Sequence, residues 1–145
     1  MSVLDVMTRA PSCCTAETPL PVVARMMVDC NCGCIPVIDD AERPTGMITD
    51  RDIVCRSVAL DMNPLEMMAG AVMTPDCVTV TTETSVEDCA ALLQQKQIRR
   101  AVVVDRDGRV VGIVAQADLA RCSETLGGEL VAAVSEPSIR PSAVH

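Results

Sequence analysis

The chain nearly repeats itself. Val6-Met7-Thr8 returns as Val72-Met73-Thr74, and the stretch up to Asp52 realigns with the stretch up to Asp118 at one 66-residue offset without a gap. Twelve of the forty-seven aligned positions are identical, where a composition of this kind gives roughly three by chance. Beyond the shared Val-Met-Thr, the matches are Thr15/Thr81, Glu17/Glu83, Thr18/Thr84, Ala24/Ala90, Val37/Val103, Asp39/Asp105, Arg43/Arg109, Gly46/Gly112 and Asp52/Asp118. A unit of this length would be only marginally stable alone, so the copies in this 145-residue chain are expected to share a core. The boundaries read as residues 1–62 and 63–123 for the two copies. Residues 124–145, with Gly127-Gly128, Pro137 and Pro141, read as a helix fragment and a partly disordered tail.

A formal charge of -8, with no basic cluster larger than Arg99-Arg100, argues against nucleic acid, whose affinity depends on clustered Lys and Arg. No basic leader precedes an apolar run and no apolar stretch approaches membrane-spanning length, so a cytoplasmic protein without a membrane role is expected. Phe, Tyr and Trp are all absent, so any purine must be gripped by aliphatic side chains and backbone instead of by stacking. Nine cysteines without an export signal read by default as reduced core thiols.

In the first copy Thr18 reads as N-cap and Pro19 as the first helical residue, with Leu20, Val23, Ala24 and Met27 at helical spacing. In the second, Thr84 and Glu87 form a capping-box pattern ahead of Val86, Cys89, Ala90 and Leu93. β-prone runs flank these helices at residues 13–16, 35–38 and 46–49, and again at 78–82, 101–104 and 110–115. Further helices follow near 51–59 and 117–122, and short lead-ins occupy 4–7 and 64–72. The pattern predicts an α/β (α+β) fold of two tandem β-α-β-β-α units.

That order, with Val-Met-Thr opening each copy, Ile35-Pro36-Val37-Ile38-Asp39 in the middle and Gly46-Met47-Ile48-Thr49-Asp50-Arg51-Asp52 at the end, resembles the cystathionine-β-synthase (CBS) domain. The resemblance extends from Val3 to about Ser123 and is to a CBS pair, or Bateman module. It implies two repeats packed about a pseudo-twofold axis, with clefts that often bind AMP, ADP, ATP, NAD or S-adenosylmethionine. It also implies a homodimer formed through the helices.

The segment ending in Asp52 closes a strand and opens a helix, where unpaired backbone N–H groups would meet a phosphate, joined by the Thr49 hydroxyl. Asp52, one turn on, can accept from both hydroxyls of a ribose. The resemblance assigns the same roles to Thr49 and Asp52, with Asp50 and Arg51 beside them. Thr49-x-x-Asp52 is equally a capping-box pattern that needs no ligand. The second copy keeps Asp118 but has Ala115 in place of Thr49, so its site should be the weaker one. The resemblance also places adenine against Cys34, Ile35 and Pro36 and against Thr15 and Ala16. Arg99 and Arg100, at the entry to the second copy's middle strand, are candidate phosphate ligands.

Cys30-Asn31-Cys32-Gly33-Cys34 invites a metal or redox reading, yet the spacing suits zinc poorly and the sole His is His145. No metal is expected. No nucleophile-His arrangement or Walker glycine loop is present, which argues against an enzyme. The expected function is a regulatory module that senses an adenosine nucleotide and signals to an effector protein. The competing readings are a ligand-free dimerisation or stress-response interaction module and, behind it, a Cys-based metal or redox sensor.

Overall fold

The computed structural model describes residues 1–122, so the expectation for residues 124–145 lies outside the described residues. Among those described, six α-helices and two sheets alternate along the chain. In order they are α1 (Val3–Val6), β1 (Thr8–Arg9), α2 (Leu20–Cys30), β2 (Cys34–Ile38), β3 (Pro44–Thr49), α3 (Asp50–Cys55), α4 (Ala69–Val72), β4 (Thr74–Pro75), β5 (Thr79–Thr81), α5 (Val86–Lys96), β6 (Arg100–Val104), β7 (Val110–Ala115) and α6 (Gln116–Cys122). Two short 3-10 turns, Val58–Leu60 and Pro64–Glu66, lie between α3 and α4. The expected α/β class is the observed one. The run at 13–16 contracts to a single parallel bridge, Cys14 to Val37, because only the Cys14 N–H (to Pro36 O, 3.0 Å) and C=O (from Ile38 N, 2.8 Å) find ladder partners.

The chain divides into two compact units, and each draws on both copies of the repeat. One contains residues 10–77 with 104–111; its sheet runs β2-β3-β4, antiparallel throughout. Its core gathers Leu20, Val23 and Met27 from α2, Ile35, Val37 and Ile48 from the sheet, and Ala69 and Val72 from α4. Burying each Val, Leu or Ile there contributes about 1.5–3 kcal/mol of hydrophobic stabilisation. The other contains residues 1–9 and 78–103 with the described residues from Gly112 onward; β1-β7-β6-β5 is its strand order. Val3, Val86, Cys89, Leu93, Val102, Val103, Val114 and Leu119 are buried in it.

Each unit is closed by the lead-in of the other copy. In the first, Leu20 N donates to Met67 O (2.8 Å) and Ala69 N to Thr18 O (2.8 Å); in the second, Val86 N donates to Met1 O (3.1 Å) and Val3 N to Thr84 O (2.8 Å). These bonds explain why the helix caps fall one residue later than the sequence suggested. The first helical amide is already taken by a tertiary acceptor, so Pro19 and Ser85 become the N-caps. Ser85 Oγ accepts from Asp88 N, whereas Thr18 and Thr84 turn their hydroxyls back to the amides of Thr15 and Thr81, each at 3.0 Å. Both helices end on a left-handed residue, Asn31 (φ 51) and Gln97 (φ 54), and the next amide reaches back to Met27 O or Leu93 O.

The matched glycines have a steric reason. A Cβ on Gly46 would sit 2.6 Å from Thr74 O, and one on Gly112 would sit 2.9 Å from Thr8 O and 2.4 Å from Met7 Sδ. Backbone oxygens in a paired strand cannot retreat. Gly46→Ala and Gly112→Ala should each destabilise by about 1–3 kcal/mol, read as a lower urea midpoint. Burial also pushes the Cys14 and Cys89 thiols from 9.0 up to about 11. The fold therefore favours the protonated thiols, and the stability this gives is complete below pH 9 and lost between about pH 9 and 11. Melting temperature should fall across that window, and less steeply in Cys89→Ala.

Candidate functional site

The best-assembled polar constellation of the predicted set lies where β3 runs into α3. Thr49 is the N-cap in extended conformation (φ -115, ψ 164), and Pro44–Thr49 leads straight into Asp50–Cys55. Asp52 N donates to Thr49 Oγ1 at 3.1 Å, and Thr49 N donates to Asp52 Oδ2 at 2.9 Å, a complete capping box. Asp50 N donates to Gly33 O (3.1 Å), and Arg51 N to Asp50 Oδ1 (2.8 Å). The first three amides of α3 are thus satisfied within the protein. This corrects the expectation that unpaired N–H groups wait there for a phosphate: the polar side chains and the Gly33 carbonyl that hold the turn also consume its donors.

Two groups keep unused capacity. The Thr49 hydroxyl accepts one bond and has its own proton to give, and Asp52 Oδ1 accepts no hydrogen bond among the described residues. Both side chains are half-buried, with the exposed Asp50 and Arg51 next to them. The site can therefore accept from hydroxyls at Asp52 and donate at Thr49, with the Arg51 guanidinium nearby in sequence.

The other predicted residues fall into three groups. Cys34 stands opposite Thr49 in the β2–β3 ladder, and Ile35 and Pro36 follow it, all three with buried side chains. Thr15 is exposed and Ala16 half-buried in the loop before α2; the Ala16 carbonyl is occupied by Gly70 N at 2.8 Å. Arg99, Arg100 and Asp118 belong to the other unit. Arg99 and Arg100 are exposed at the start of β6.

Asp118 lies 9% exposed, accepts from Ala115 N at 2.8 Å and is ion-paired with Arg121. Ala115 offers no hydroxyl to the Asp118 amide, so this copy has half of the capping box. Both carboxylate oxygens of Asp118 are engaged, whereas Asp52 keeps one open. Sequence comparison located the difference at Thr49 against Ala115 but not the Arg121 contact; its i,i+3 spacing from Asp118 was the available signal.

The cysteines are not all reduced. Cys30 and Cys32 are disulfide-bonded, and the remaining seven, Cys13, Cys14, Cys34, Cys55, Cys77, Cys89 and Cys122, are free thiols. The two Cα atoms stand 5.3 Å apart, as any residues two apart in a helical turn do; what the spacing did not reveal is that both sulfurs turn to the same side of the left-handed Asn31. Among the described residues no group of three or more His, Cys, Asp or Glu could hold a metal ion, and no helix is long and apolar enough to cross a membrane.

The sequence profile of the CBS domain matches twice, over residues 3–58 and 69–124. The chain belongs to the CBS domain family. It is 34% identical over 140 residues to the CBS domain-containing protein YhcV of Bacillus subtilis, covering 95% of this chain and 98% of that one. Hypoxic response protein 1 of Mycobacterium tuberculosis is 32% identical over 117 residues, 81% of each chain. The crystal structure of that hypoxic response protein, with two coordinated zinc ions, superimposes with a TM-score of 0.75 at 30% identity, covering 83% of this chain and 98% of the other. CBSX2 from Arabidopsis thaliana in complex with AMP gives a TM-score of 0.71 at 30% identity over 86% of this chain and 97% of the other.

The two copies should respond oppositely to exchanging their caps. Thr49→Ala should cost about 1 kcal/mol of stability without any ligand, Thr49→Ser should recover most of it, and Ala115→Thr should gain several tenths. Urea denaturation of the three variants measures this.

Proposed function

We propose that this CBS pair is a non-catalytic regulatory module that binds an adenosine nucleotide, AMP first among them, at Thr49 and Asp52, and passes its bound state to a separate effector protein. The observation that carries the reading is the open oxygen of Asp52 beside a hydroxyl proton of Thr49. In this reading Asp52 Oδ1 accepts from the ribose hydroxyls, and Thr49 Oγ1 donates to a phosphate oxygen with Arg51 supplying charge. Membership of the CBS family, and the AMP complex of a relative matched along nearly its whole length, support an adenosine ligand. Asp118, with both oxygens engaged, is the weaker counterpart. Bound ligand shifts the protein between conformations only by its difference in affinity for them.

A second surface supports the homodimer. The exposed Val28 (78%) of α2, with Pro21, Ala24 and the exposed Leu65 (72%), lines a shallow apolar groove together with Arg25 and Asp29. Arg25 and Asp29 sit one turn apart, so a twofold axis passing between them would set each against the opposite charge of the second copy. Leu65→Lys with Val28→Lys should convert a dimer into a monomer in light scattering.

Thermal melts with an extrinsic dye, against AMP, ATP, NAD and S-adenosylmethionine, test the ligand. AMP at one hundred times its Kd should stabilise the protein by about 2.7 kcal/mol and raise Tm accordingly. Asp52→Asn should abolish the response. The sensor reading fails if none of the four shifts the melt and Asp52→Ala alters stability alone; the ligand-free module then stands.

A further inference from the structure

We infer that Cys30 and Cys32 form a reversible dithiol–disulfide site whose partner is a small-molecule disulfide–thiol couple, and that its state is read at the amino end of α3. The coupling half of this inference rests on the nucleotide reading above; the redox half does not.

The backbone brings the thiols together without help from sulfur. α2 closes with Asn31 in the left-handed region and with Cys32 N donating to Met27 O at 3.0 Å. The second copy makes the same turn at Gln97, with Ile98 N on Leu93 O at 3.1 Å, and has Lys96 and Ile98 where Cys30 and Cys32 stand. The apposition of positions 30 and 32 therefore belongs to the helix cap, and a reduced pair is already poised to close. Cys30 Sγ also lies 3.9 Å from Met27 O, an acceptor it can use only as a thiol. Both redox states thus have a place for it.

The two cysteines differ in access. Cys30 is exposed, whereas Cys32 is half-buried and packs against the core cluster that includes Val23 and Met27. Cys14, Cys34 and Cys89 are buried. Cys30 is therefore the attacking thiol. Its thiolate attacks one sulfur of the small disulfide and releases a thiolate, leaving a mixed disulfide on Cys30. The Cys32 thiolate then attacks Cys30 Sγ and releases the second. Two protein thiols are oxidised to one disulfide, one external disulfide is reduced to two thiols, and the two protons end on those products.

The link to α3 is short and covalent for most of its length. Gly33 follows Cys32 directly and its carbonyl holds Asp50 N at 3.1 Å; a Cβ on Gly33 would lie 3.1 Å from Asp50 Oδ2. Cys34, next along, is in register with Thr49. The disulfide ring fixes the residues leading into Gly33, so it holds the carbonyl on the first amide of α3, one residue from Thr49. Reduction removes that covalent constraint and leaves the segment held by its backbone hydrogen bonds and by the packing of Cys32 on the core.

The test equilibrates the full chain with glutathione and glutathione disulfide at oxidising and reducing ratios, counts free thiols by alkylation and mass spectrometry, and measures hydrogen exchange at the Asp50 amide and AMP affinity in each state. Expected are a Cys30–Cys32 bond in the oxidised form and both as free thiols in the reduced form, read peptide by peptide so that a mixed disulfide on the exposed Cys55 is scored separately. Exchange at Asp50 should be faster when reduced, and AMP should bind about fivefold more weakly, the low end of ordinary coupling between sites. Cys30→Ser should behave as the reduced protein at both ratios. Failure of excess glutathione disulfide to close Cys30 to Cys32, or a redox response that survives in Cys30→Ser, overturns the site. Equal AMP affinity and equal Asp50 exchange in the two states overturn the coupling while leaving nucleotide binding intact. If none of AMP, ATP, NAD and S-adenosylmethionine binds in either state, the nucleotide reading fails, and the thiol state with Asp50 exchange still decides the switch.

Discussion

The structure depends on two close crossings of the chain over itself. At each, a two-residue strand from one copy's lead-in pairs with the last strand of the other copy's hairpin: β4 on β3 and β1 on β7. The methionine and threonine of Val-Met-Thr press against a glycine, Met73 and Thr74 on Gly46, Met7 and Thr8 on Gly112. Three of the matched pairs in the repeat are thereby one contact made twice. The crossing gives each hairpin an edge partner it cannot supply itself, and it carries the carbonyls of Met67 and Met1 to the first amides of α2 and α5. Neither copy can be complete without the other's lead-in.

The same economy governs the site. A helix start needs its amides satisfied, and Thr49, Asp52, Asp50 and the Gly33 carbonyl meet that need before any ligand arrives. A capping box and a nucleotide site draw on the same atoms, so they differ only in what is left over: one carboxylate oxygen and one hydroxyl proton. The second copy shows the alternative outcome. With Ala115 in place of the threonine and Arg121 on the aspartate, Asp118 is used up by its own helix. A disulfide just upstream of Gly33 places a chemical constraint on the turn that feeds this site, and the second copy has nothing equivalent.

Much of this was legible in the residues. The β-prone runs at 35–38, 46–49 and 101–104 marked buried strands, and Val110–Ala115 runs where its β-branched residues said it should. Thr49-x-x-Asp52 announced a cap and a possible binding pair in the same four residues. What misled was local reasoning applied where the acceptor is distant. Thr18 and Thr84 have the right chemistry for caps, but Met67 O and Met1 O take the amides that define the helix start. Residues 13–16 have β-prone chemistry, but only Cys14 reaches a neighbour.

The sequence by itself determined the repeat, the α/β order, the CBS family and the residue at which the two copies part, because these follow from side-chain chemistry at fixed spacing. Tertiary structure alone decided which copy's lead-in closes which sheet, how much of Thr49 and Asp52 remains free once α3 is capped, and that Cys30 meets Cys32. The physical reason is common to all three. Each depends on where a backbone carbonyl, amide or sulfur comes to rest after the chain has turned: the crossings at Gly46 and Gly112 rest on packing and hydrogen bonds made far along the chain, and the left-handed turn at Asn31 on the bond from Cys32 N back to Met27 O.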